Sequence, residues 1–278
     1  MRYFIASDGA SIAYRDEGSG RPLMLLHGLM AHSGFFERQR SLADDFRLIA
    51  IDLRGHGQSR ADGAALTTER LAMDVGELAD ALDLHEAIGV GWSLGASVLW
   101  QVLAGPDSAR FAGAVIVDMT PRVRNDGEWD LGLSNEACEA RGAAIRDDFT
   151  SFAANAGQAI YAQPLDARRQ ELADWSSGEF ARNDGEAIGA LWRSLVEQDF
   201  RPLLARIAQP TLVIHGAQSQ LYGSDTADHL VRALPDARAT QFDRSGHAPH
   251  MEQPELFNSA IQQFAASLPR IRQSRAIA

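Results

Sequence analysis

The feature of this sequence that most restricts its fold is an alternation between short apolar runs and longer amphipathic stretches. The short runs are rich in β-branched residues, whereas the longer stretches carry apolar residues at helical spacing. This alternation is typical of a mostly parallel sheet covered by helices, so the sequence predicts an α/β fold. The eight predicted strands span residues 3–6, 12–16, 23–27, 46–51, 87–90, 114–117, 211–215 and 239–242.

The first two predicted strands are separated only by Ser7-Asp8-Gly9-Ala10. A connection this short and turn-rich favours a hairpin, so we expect the sheet to begin antiparallel and then become parallel. Helices are predicted between the later strands because their apolar residues recur on one face. These helices span residues 68–82, 94–103, 226–234 and 254–267.

A long segment without strand-like runs separates the sixth and seventh predicted strands. It is too long for a simple loop, and in a compact domain such a connection is usually functional. Its predicted helices span residues 135–147, 149–161, 165–175 and 184–196. The predicted organisation is therefore a core formed by residues 1–120 and 206–278, with residues 121–205 as a helical cap.

Composition narrows the classes of partner. The chain has 278 residues, of which 45% are hydrophobic and 23% charged, as in ordinary globular proteins. The formal net charge of -11 disfavours nucleic acid and anionic membrane surfaces, because both attract basic proteins. No apolar run approaches the roughly 18 residues of a membrane span, no secretion signal is visible, and Cys138 is the single cysteine. We expect a cytoplasmic protein whose partner is a small molecule.

The strongest chemical signal is Gly91-Trp92-Ser93-Leu94-Gly95, which follows a predicted strand and precedes a predicted helix. Glycines at this spacing allow a tight strand-to-helix turn, and the N-terminus of the helix stabilises developing negative charge. The pattern predicts a nucleophile elbow with Ser93 as nucleophile. The alternative is a glycine-lined turn in which Ser93 only caps the helix.

The same segment could also be a dinucleotide-binding fingerprint, Gly89-Val90-Gly91-Trp92-Ser93-Leu94. That interpretation requires a third small residue where Leu94 stands, and an acidic residue about twenty positions later, where Arg110 stands. Both departures disfavour dinucleotide binding. The sequence also lacks the common zinc-ligand and phosphate-loop motifs.

Four segments together resemble the α/β-hydrolase superfamily, in particular its small cofactor-free esterase and non-haem haloperoxidase-like branch. The resemblance covers nearly the whole chain. It implies an eight-stranded, mostly parallel sheet with helices on both faces, a helical cap inserted after the sixth strand, and no cofactor. The segments are Leu26-His27-Gly28-Leu29, residues 52–59, residues 91–95, and Ser245-Gly246-His247 followed by Glu252-Gln253-Pro254.

The resemblance also implies an oxyanion hole formed by two backbone N–H groups, those of Leu29 and Leu94. Paired donors of this kind stabilise the negative oxygen of a tetrahedral intermediate, and losing one costs about 3 kcal/mol of barrier. Within the first segment, His27 is expected to shape the turn. Residues 52–59 either support the floor of the site or form an ordinary loop.

His247 is predicted to be the general base. Two histidines, His247 and His250, follow the last predicted strand, where the partner of the elbow serine must lie. The resemblance favours His247, because it follows Gly246 at the position of the family's base. A surface or capping role is the ordinary alternative for either ring.

The third member of the triad departs from the family's usual pattern. The resemblance places an acid in the loop after the seventh strand, but Ser219 stands at that position. Asp225 lies further along the same loop, and Asp118 follows the sixth strand directly, where other branches of the superfamily carry their acid. We predict Asp118 as the acid and keep Asp225 as the alternative. Either carboxylate would fix the imidazole tautomer and stabilise the imidazolium.

Aromatic residues are frequent in the predicted cap. Trp129 and Trp192, together with Trp92 from the elbow, are predicted to line an apolar substrate pocket. The alternative for the cap residues is that they form the small core of the cap itself.

Taken together, these features predict a serine hydrolase that cleaves a carboxylic ester or lactone through an acyl-enzyme, without a cofactor. Serine at the elbow argues against relatives that use aspartate there. Perhydrolase or haloperoxidase-like activity and carbon–carbon bond hydrolysis on the same triad are alternatives. A small-ligand-binding protein of the same fold is the alternative from another class, because fold alone does not establish catalysis.

Overall fold

Eight strands form one sheet in the computed structural model, which describes residues 1–59 and 65–269. The order across the sheet is β1-β2-β4-β3-β5-β6-β7-β8. All eight predicted strands are present, with small differences at their ends. The strands are β1 Arg2–Ile5, β2 Ser11–Gly18, β3 Arg21–Leu26, β4 Phe46–Ile51, β5 Ala87–Trp92, β6 Phe111–Val117, β7 Thr211–Gly216 and β8 Ala237–Phe242.

The sheet begins antiparallel and then becomes parallel, as predicted. Strand β1 pairs antiparallel with β2, which pairs antiparallel with β4, and every later pairing is parallel. Every residue of β5 and β7 is buried. Parallel strands that are covered on both faces have such continuous apolar sequences, whereas half-exposed strands alternate.

Helices connect the strands, and most begin close to the predicted residue. The insertion contributes α3 to α6 between β6 and β7, with side-chain caps at Ser134, Asp148, Asp166 and Asp184. The ten helices of the described residues are α1 Thr68–Ala81, α2 Leu94–Ala104, α3 Asn135–Asp147, α4 Phe149–Ala159, α5 Ala167–Phe180, α6 Gly185–Glu197, α7 Arg201–Leu204, α8 Ser224–Ala233, α9 Pro249–Glu252 and α10 Pro254–Ser267.

Helix α5 differs most from its predicted bounds. The sequence predicts residues 165–175, but the helix begins after Asp166, whose side chain accepts a hydrogen bond from the Arg169 N–H, and it continues to Phe180. An aspartate cap satisfies an N–H that the first turn leaves without a partner, which fixes the start of the helix at this residue.

Residues 33–44 and 106–110 form 3₁₀ helices that the sequence pattern did not predict. None of the helices within the described ranges is long and apolar enough to cross a lipid bilayer. Residues 270–278 of the predicted core lie outside the described residues.

Candidate active site

The sheet brings the predicted site residues to one edge. Because β3, β5, β6, β7 and β8 are neighbours and run parallel, their carboxyl ends lie side by side, which is where open α/β sheets bind ligands. Each of these five strands is followed by a predicted site residue or, after β7, by the serine at the position where the family usually has its acid. These residues are Leu29 after β3, Ser93 after β5, Asp118 after β6, Ser219 after β7 and His247 after β8.

Ser93 lies on a strained turn between β5 and α2. Its φ is 53° and its ψ is -120°, a conformation that costs a non-glycine residue about 1–3 kcal/mol. The Ser93 N–H donates to the Val117 carbonyl at 3.0 Å, which ties the turn to β6. A Cβ on Gly95 would lie 2.1 Å from the Leu26 carbonyl oxygen, and one on Gly91 would lie 2.5 Å from that of Gly95. Both glycines are therefore required by close backbone contact.

The two predicted oxyanion donors flank this turn. Leu94 is the first residue of α2, and within the described residues neither its N–H nor that of Leu29 donates a hydrogen bond. The loop that carries Leu29 lies against the elbow, because a Cβ on Gly28 would be 3.2 Å from the Cβ of Ser93. Among the described residues, this arrangement leaves two backbone donors without partners on the segments next to Ser93. Their role as an oxyanion hole remains a prediction.

His27 holds the turn that precedes Leu29. Its Nε2 accepts a hydrogen bond from the Leu53 N–H at 2.9 Å, so the ring proton is on Nδ1, which donates to the Gly28 carbonyl at 2.8 Å. Burial lowers the pKa of His27 well below its ordinary value, which keeps the ring neutral. His27 therefore has a structural role in this turn, as the sequence predicted.

The glycine-rich segment 52–59 supports the same region from the side of β4. The carboxylate of Asp52 accepts the Ser33 N–H at 2.8 Å and the Gln58 N–H at 2.9 Å. It therefore joins the start of the 3₁₀ helix at residues 33–44 to the segment itself. Of the two interpretations left open by the sequence, support of the site floor fits these contacts better than an ordinary loop.

Two contacts from the insertion also hold the loop after β3, and no sequence motif indicated them. The side-chain amide of Asn183 donates to the Met30 carbonyl at 2.7 Å, and Met30 has a φ of 67°. His32 lies 3.1 Å from a carboxylate oxygen of Glu179 on α5. The insertion therefore contacts the segment that carries the Leu29 N–H.

Of the two acids that the sequence left open, the structure brings Asp118 to His247. The Nδ1 atom of His247 is 2.6 Å from Oδ2 of Asp118, whose side chain is fully buried. Asp118 directly follows the last residue of β6 and has a φ of 46°. Asp225 is instead exposed in the first turn of α8, and it makes no contact with His247.

Hydrogen bonding of Nδ1 to a carboxylate leaves Nε2 of His247 as the basic nitrogen. In the described residues, the His247 ring bonds through Nδ1 and the Ser93 hydroxyl makes no hydrogen bond, so Nε2 and the hydroxyl are not bonded to each other here. Such contacts are often long without a ligand and tighten when substrate binds. Ser93 is half-buried, which leaves its hydroxyl open to an incoming substrate.

The loop that carries His247 is fixed at its backbone. The His247 N–H donates to the Ile160 carbonyl at 2.8 Å, and the Trp92 indole N–H donates to the His247 carbonyl at 2.7 Å. One bond comes from the insertion and the other from the elbow. The two bonds hold the backbone of His247 against the insertion and against Trp92, the residue that precedes Ser93.

Glu252 fixes the residue before the base. One carboxylate oxygen accepts the Gly246 N–H at 2.7 Å, while the other accepts the Ala162 N–H at 2.9 Å and a bond from Arg169 at 3.1 Å. Burial raises the pKa of Glu252, and these hydrogen bonds oppose that rise. The sequence marked Glu252 only as part of a family motif, and its contacts give it a structural role.

His250 occupies an apolar site beneath the elbow. Its ring centroid lies 4.7 Å from that of Trp92 and 5.1 Å from that of Phe36, and neither ring nitrogen has a hydrogen-bond partner among the described residues. Burial, and then the neighbouring His247, lower the pKa of His250 to about 3. A histidine with this surrounding is a neutral packing residue and a poor base.

This burial predicts a specific dependence of stability on pH. The folded-state pKa is below the unfolded value of about 6.5, so the unfolded chain binds the extra proton and stability falls as the pH drops through 6.5 toward 3. Between pH 7.5 and pH 5.5, we expect His250 alone to lower the free energy of unfolding by about 1.4 kcal/mol. His250→Phe should remove this contribution, as measured by urea unfolding at the two pH values.

His85 provides the control for that measurement. It is largely exposed and lies 3.0 Å from Asp83, so His85→Gln removes a histidine without touching the buried ring and should keep the pH dependence assigned to His250. An equal pH dependence in the parent protein and in His250→Phe would contradict the proposed neutral state of His250.

The three tryptophans predicted to line the pocket lie in different surroundings. Trp92 is 1% exposed and anchors the base's loop, as described above. Trp129 donates its indole N–H to the Arg122 carbonyl at 2.9 Å, and Trp192 donates to that of Cys138 at 3.3 Å. Their contribution to a substrate pocket remains a prediction.

A cleft with a volume of about 1130 Å³ lies between α3, α6 and the segment around Gly55. Trp192 is on its wall, but Ser93, His247, Leu29 and Leu94 are not. Residues on that wall also flank the stretch 60–64, which lies outside the described residues. We therefore assign this cleft no part in the chemistry.

The sequence matches a family model and is similar to that of known esterases. A family model described as the alpha/beta hydrolase fold matches residues 21–254. The pimeloyl-(acyl-carrier protein) methyl ester esterase of Nitrosomonas europaea is 31% identical over 257 residues, which cover 91% of this chain and 98% of that protein.

Two solved structures illustrate the similarity in three dimensions. An esterase from Rhodococcus sp. ECU1013 superposes with a TM-score of 0.85 at 28% identity, over 96% of this chain and 99% of the other. An esterase from Exiguobacterium antarcticum superposes with a TM-score of 0.90 over 95% of this chain and 99% of the other. At 23% identity, this second likeness shows the fold alone.

Proposed function

Because the chain belongs to the α/β-hydrolase family, we propose that it is a serine hydrolase that cleaves a carboxylic ester or lactone through an acyl-enzyme. The observation that carries the proposal is the 2.6 Å contact between His247 Nδ1 and the buried Asp118 carboxylate, at the sheet edge that also presents Ser93. A histidine held in this way has Nε2 available as a base.

The proposed reaction has two halves. In the first, the Ser93 hydroxyl oxygen attacks the carbonyl carbon while His247 Nε2 takes its proton, and the imidazolium then gives that proton to the leaving alkoxide. In the second, His247 removes a proton from water, the hydroxide attacks the acyl-enzyme, and the returned proton restores Ser93. The carboxylic acid product then leaves. The N–H groups of Leu29 and Leu94 donate to the negative oxygen of each tetrahedral intermediate.

The proposed substrate class comes from the relatives. The Nitrosomonas protein is named as a methyl ester esterase, and the Rhodococcus protein as an esterase. These names support a carboxylic ester as the substrate of this chain. The proposed steps use side chains, backbone amides and water only.

We also propose that residues 121–205 act as a cap over this site. The support comes from three contacts between the insertion and the loops that carry the chemistry: Ile160 with His247, Asn183 with Met30, and Glu179 with His32. A segment attached at these points lies above the sheet edge where substrate would enter.

A fluorophosphonate probe tests the proposal. We expect one covalent adduct per chain, located on Ser93 by peptide mass spectrometry, and loss of p-nitrophenyl butyrate turnover in proportion to labelling. Heat-denatured protein is the control, because an unfolded serine is not activated. A folded protein that neither takes the label nor turns over any of a series of acyl esters and lactones would instead favour the small-ligand-binding alternative.

A further inference from the structure

We propose that Ser219 is a positioning residue that orients the Asp118 carboxylate toward His247, an inference that rests on the proposed function. Ser219 lies in the turn after β7, and its hydroxyl is 2.7 Å from Oδ2 of Asp118. This is the same oxygen that His247 Nδ1 contacts at 2.6 Å. Ser219, from the loop after β7, therefore forms a hydrogen-bonded group of three side chains with Asp118 and His247.

The direction of the serine hydrogen bond follows from proton counting. A hydroxyl has one proton, and an ionised carboxylate can only accept. The Ser219 oxygen also accepts the Leu221 N–H at 3.3 Å, so its lone pairs serve the loop while its proton is directed to Asp118. Hydrogen bonds to an ionised acceptor are about twice as strong as neutral ones.

The effect on Asp118 is to fix the rotation of its carboxylate. One oxygen receives Ser219 and His247, while the other receives the Gly216 N–H at 3.3 Å. The terminal torsion of an aspartate is broad when nothing constrains it. Without the Ser219 hydroxyl, the buried oxygen that faces His247 loses one of the two donors that the described residues supply, and the carboxylate is held less firmly.

The turn that carries Ser219 is fixed relative to the base's loop. The Ser219 N–H donates to the Gly216 carbonyl at 3.1 Å, and the Gln218 N–H donates to the Ser245 carbonyl at 3.0 Å. Ser245 is two residues before His247 in the chain. Serine, acid and base are therefore tied together through backbone bonds as well as side chains.

The geometry further implies that the acid could be supplied from either loop. Because Ser219 Oγ and His247 Nδ1 both contact one oxygen of Asp118, the side chain at position 219 already points into the space beside the imidazole. A carboxylate there reaches one bond further than the hydroxyl. An aspartate at position 219 should therefore be able to contact His247 when Asp118 has lost its charge.

The first experiment measures the hydroxyl. We expect Ser219→Ala to lower kcat on p-nitrophenyl butyrate about tenfold with little change in KM, since a hydrogen bond to a charged group is lost. Ser219→Thr keeps the hydroxyl and should recover most of that loss. Ser224→Ala is the matched control, because Ser224 is exposed at the start of α8 and its side chain makes no hydrogen bond with the described residues. Wild-type kcat in Ser219→Ala would overturn the inference.

The second experiment moves the acid. Asp118→Asn combined with Ser219→Asp should recover at least about a hundredfold of the turnover lost in Asp118→Asn alone. Asp118→Asn with Ser224→Asp adds the same charge at the start of α8, just after that loop, and should recover nothing. A double variant that melts at the parent temperature yet stays inactive would overturn the convergence of the two positions. Full activity in Asp118→Asn alone would also overturn the inference, whereas the proposed function fails separately, if Ser93→Ala keeps its activity.

Discussion

Replacing Ser93 with alanine is expected to abolish ester hydrolysis while the protein stays folded. Without the hydroxyl no acyl-enzyme forms, and loss of a triad serine lowers kcat by up to about a millionfold in well-studied hydrolases. The Ser93 side chain makes no hydrogen bond within the described residues, so its removal should leave the free energy of unfolding nearly unchanged. Turnover of p-nitrophenyl butyrate and urea unfolding measure the two expectations.

Ser97 offers a matched control within the same helix. It is fully buried one turn after the elbow, and its hydroxyl also lacks a hydrogen-bond partner among the described residues. Ser97→Ala should keep the turnover of the parent protein. If Ser93→Ala retained more than a few per cent of the parent rate, Ser93 would not be the nucleophile.

Replacing Asp118 with asparagine is expected to cause the next largest loss. The asparagine amide can donate to Nδ1 of His247, which places the ring proton on Nε2 and leaves that nitrogen unable to accept the serine proton. In the best-studied triad, this change lowers kcat by about ten-thousandfold. The carboxylate it replaces is fully buried, so circular dichroism and thermal melting should accompany the kinetics.

Asp225→Asn is the control for the acid. Asp225 is exposed at the start of α8, and we expect its replacement to leave kcat unchanged. If Asp225→Asn were the damaging change and Asp118→Asn the silent one, the acid would come from the loop after β7. The hydrolase assignment would survive that outcome.

Much of the fold could be predicted because the signals are local. A strand buried on both faces has a continuous apolar sequence. The elbow combines such a run with glycines at positions 91 and 95, where the structure leaves no room for a side chain. The acid could not be decided in the same way. Asp118 and His247 are 129 residues apart, and a contact at that separation depends on how two loops meet at the sheet edge.

Other contacts could not be predicted from any sequence motif. The bonds from Asn183 to Met30 and from Glu179 to His32 depend on how the insertion packs, and neither pair belongs to a motif. The motif at the elbow includes Trp92, but it did not indicate that the indole N–H of Trp92 donates to the His247 carbonyl. The direction of a side chain depends on its rotamer and neighbours, and residue spacing does not specify it.

The attachment of the insertion at Ile160 and Asn183 has a consequence for protein engineering. Exchanging this segment for that of a relative is an obvious route to a new substrate range, because the segment is continuous in the chain. The exchange would also replace the backbone that places the Ile160 carbonyl against the His247 N–H, and the Asn183 side-chain amide that holds Met30. A chimera that preserves an acceptor at 160 and a donor at 183 should keep its turnover rate, whereas one chosen only for pocket shape should lose rate on every substrate alike.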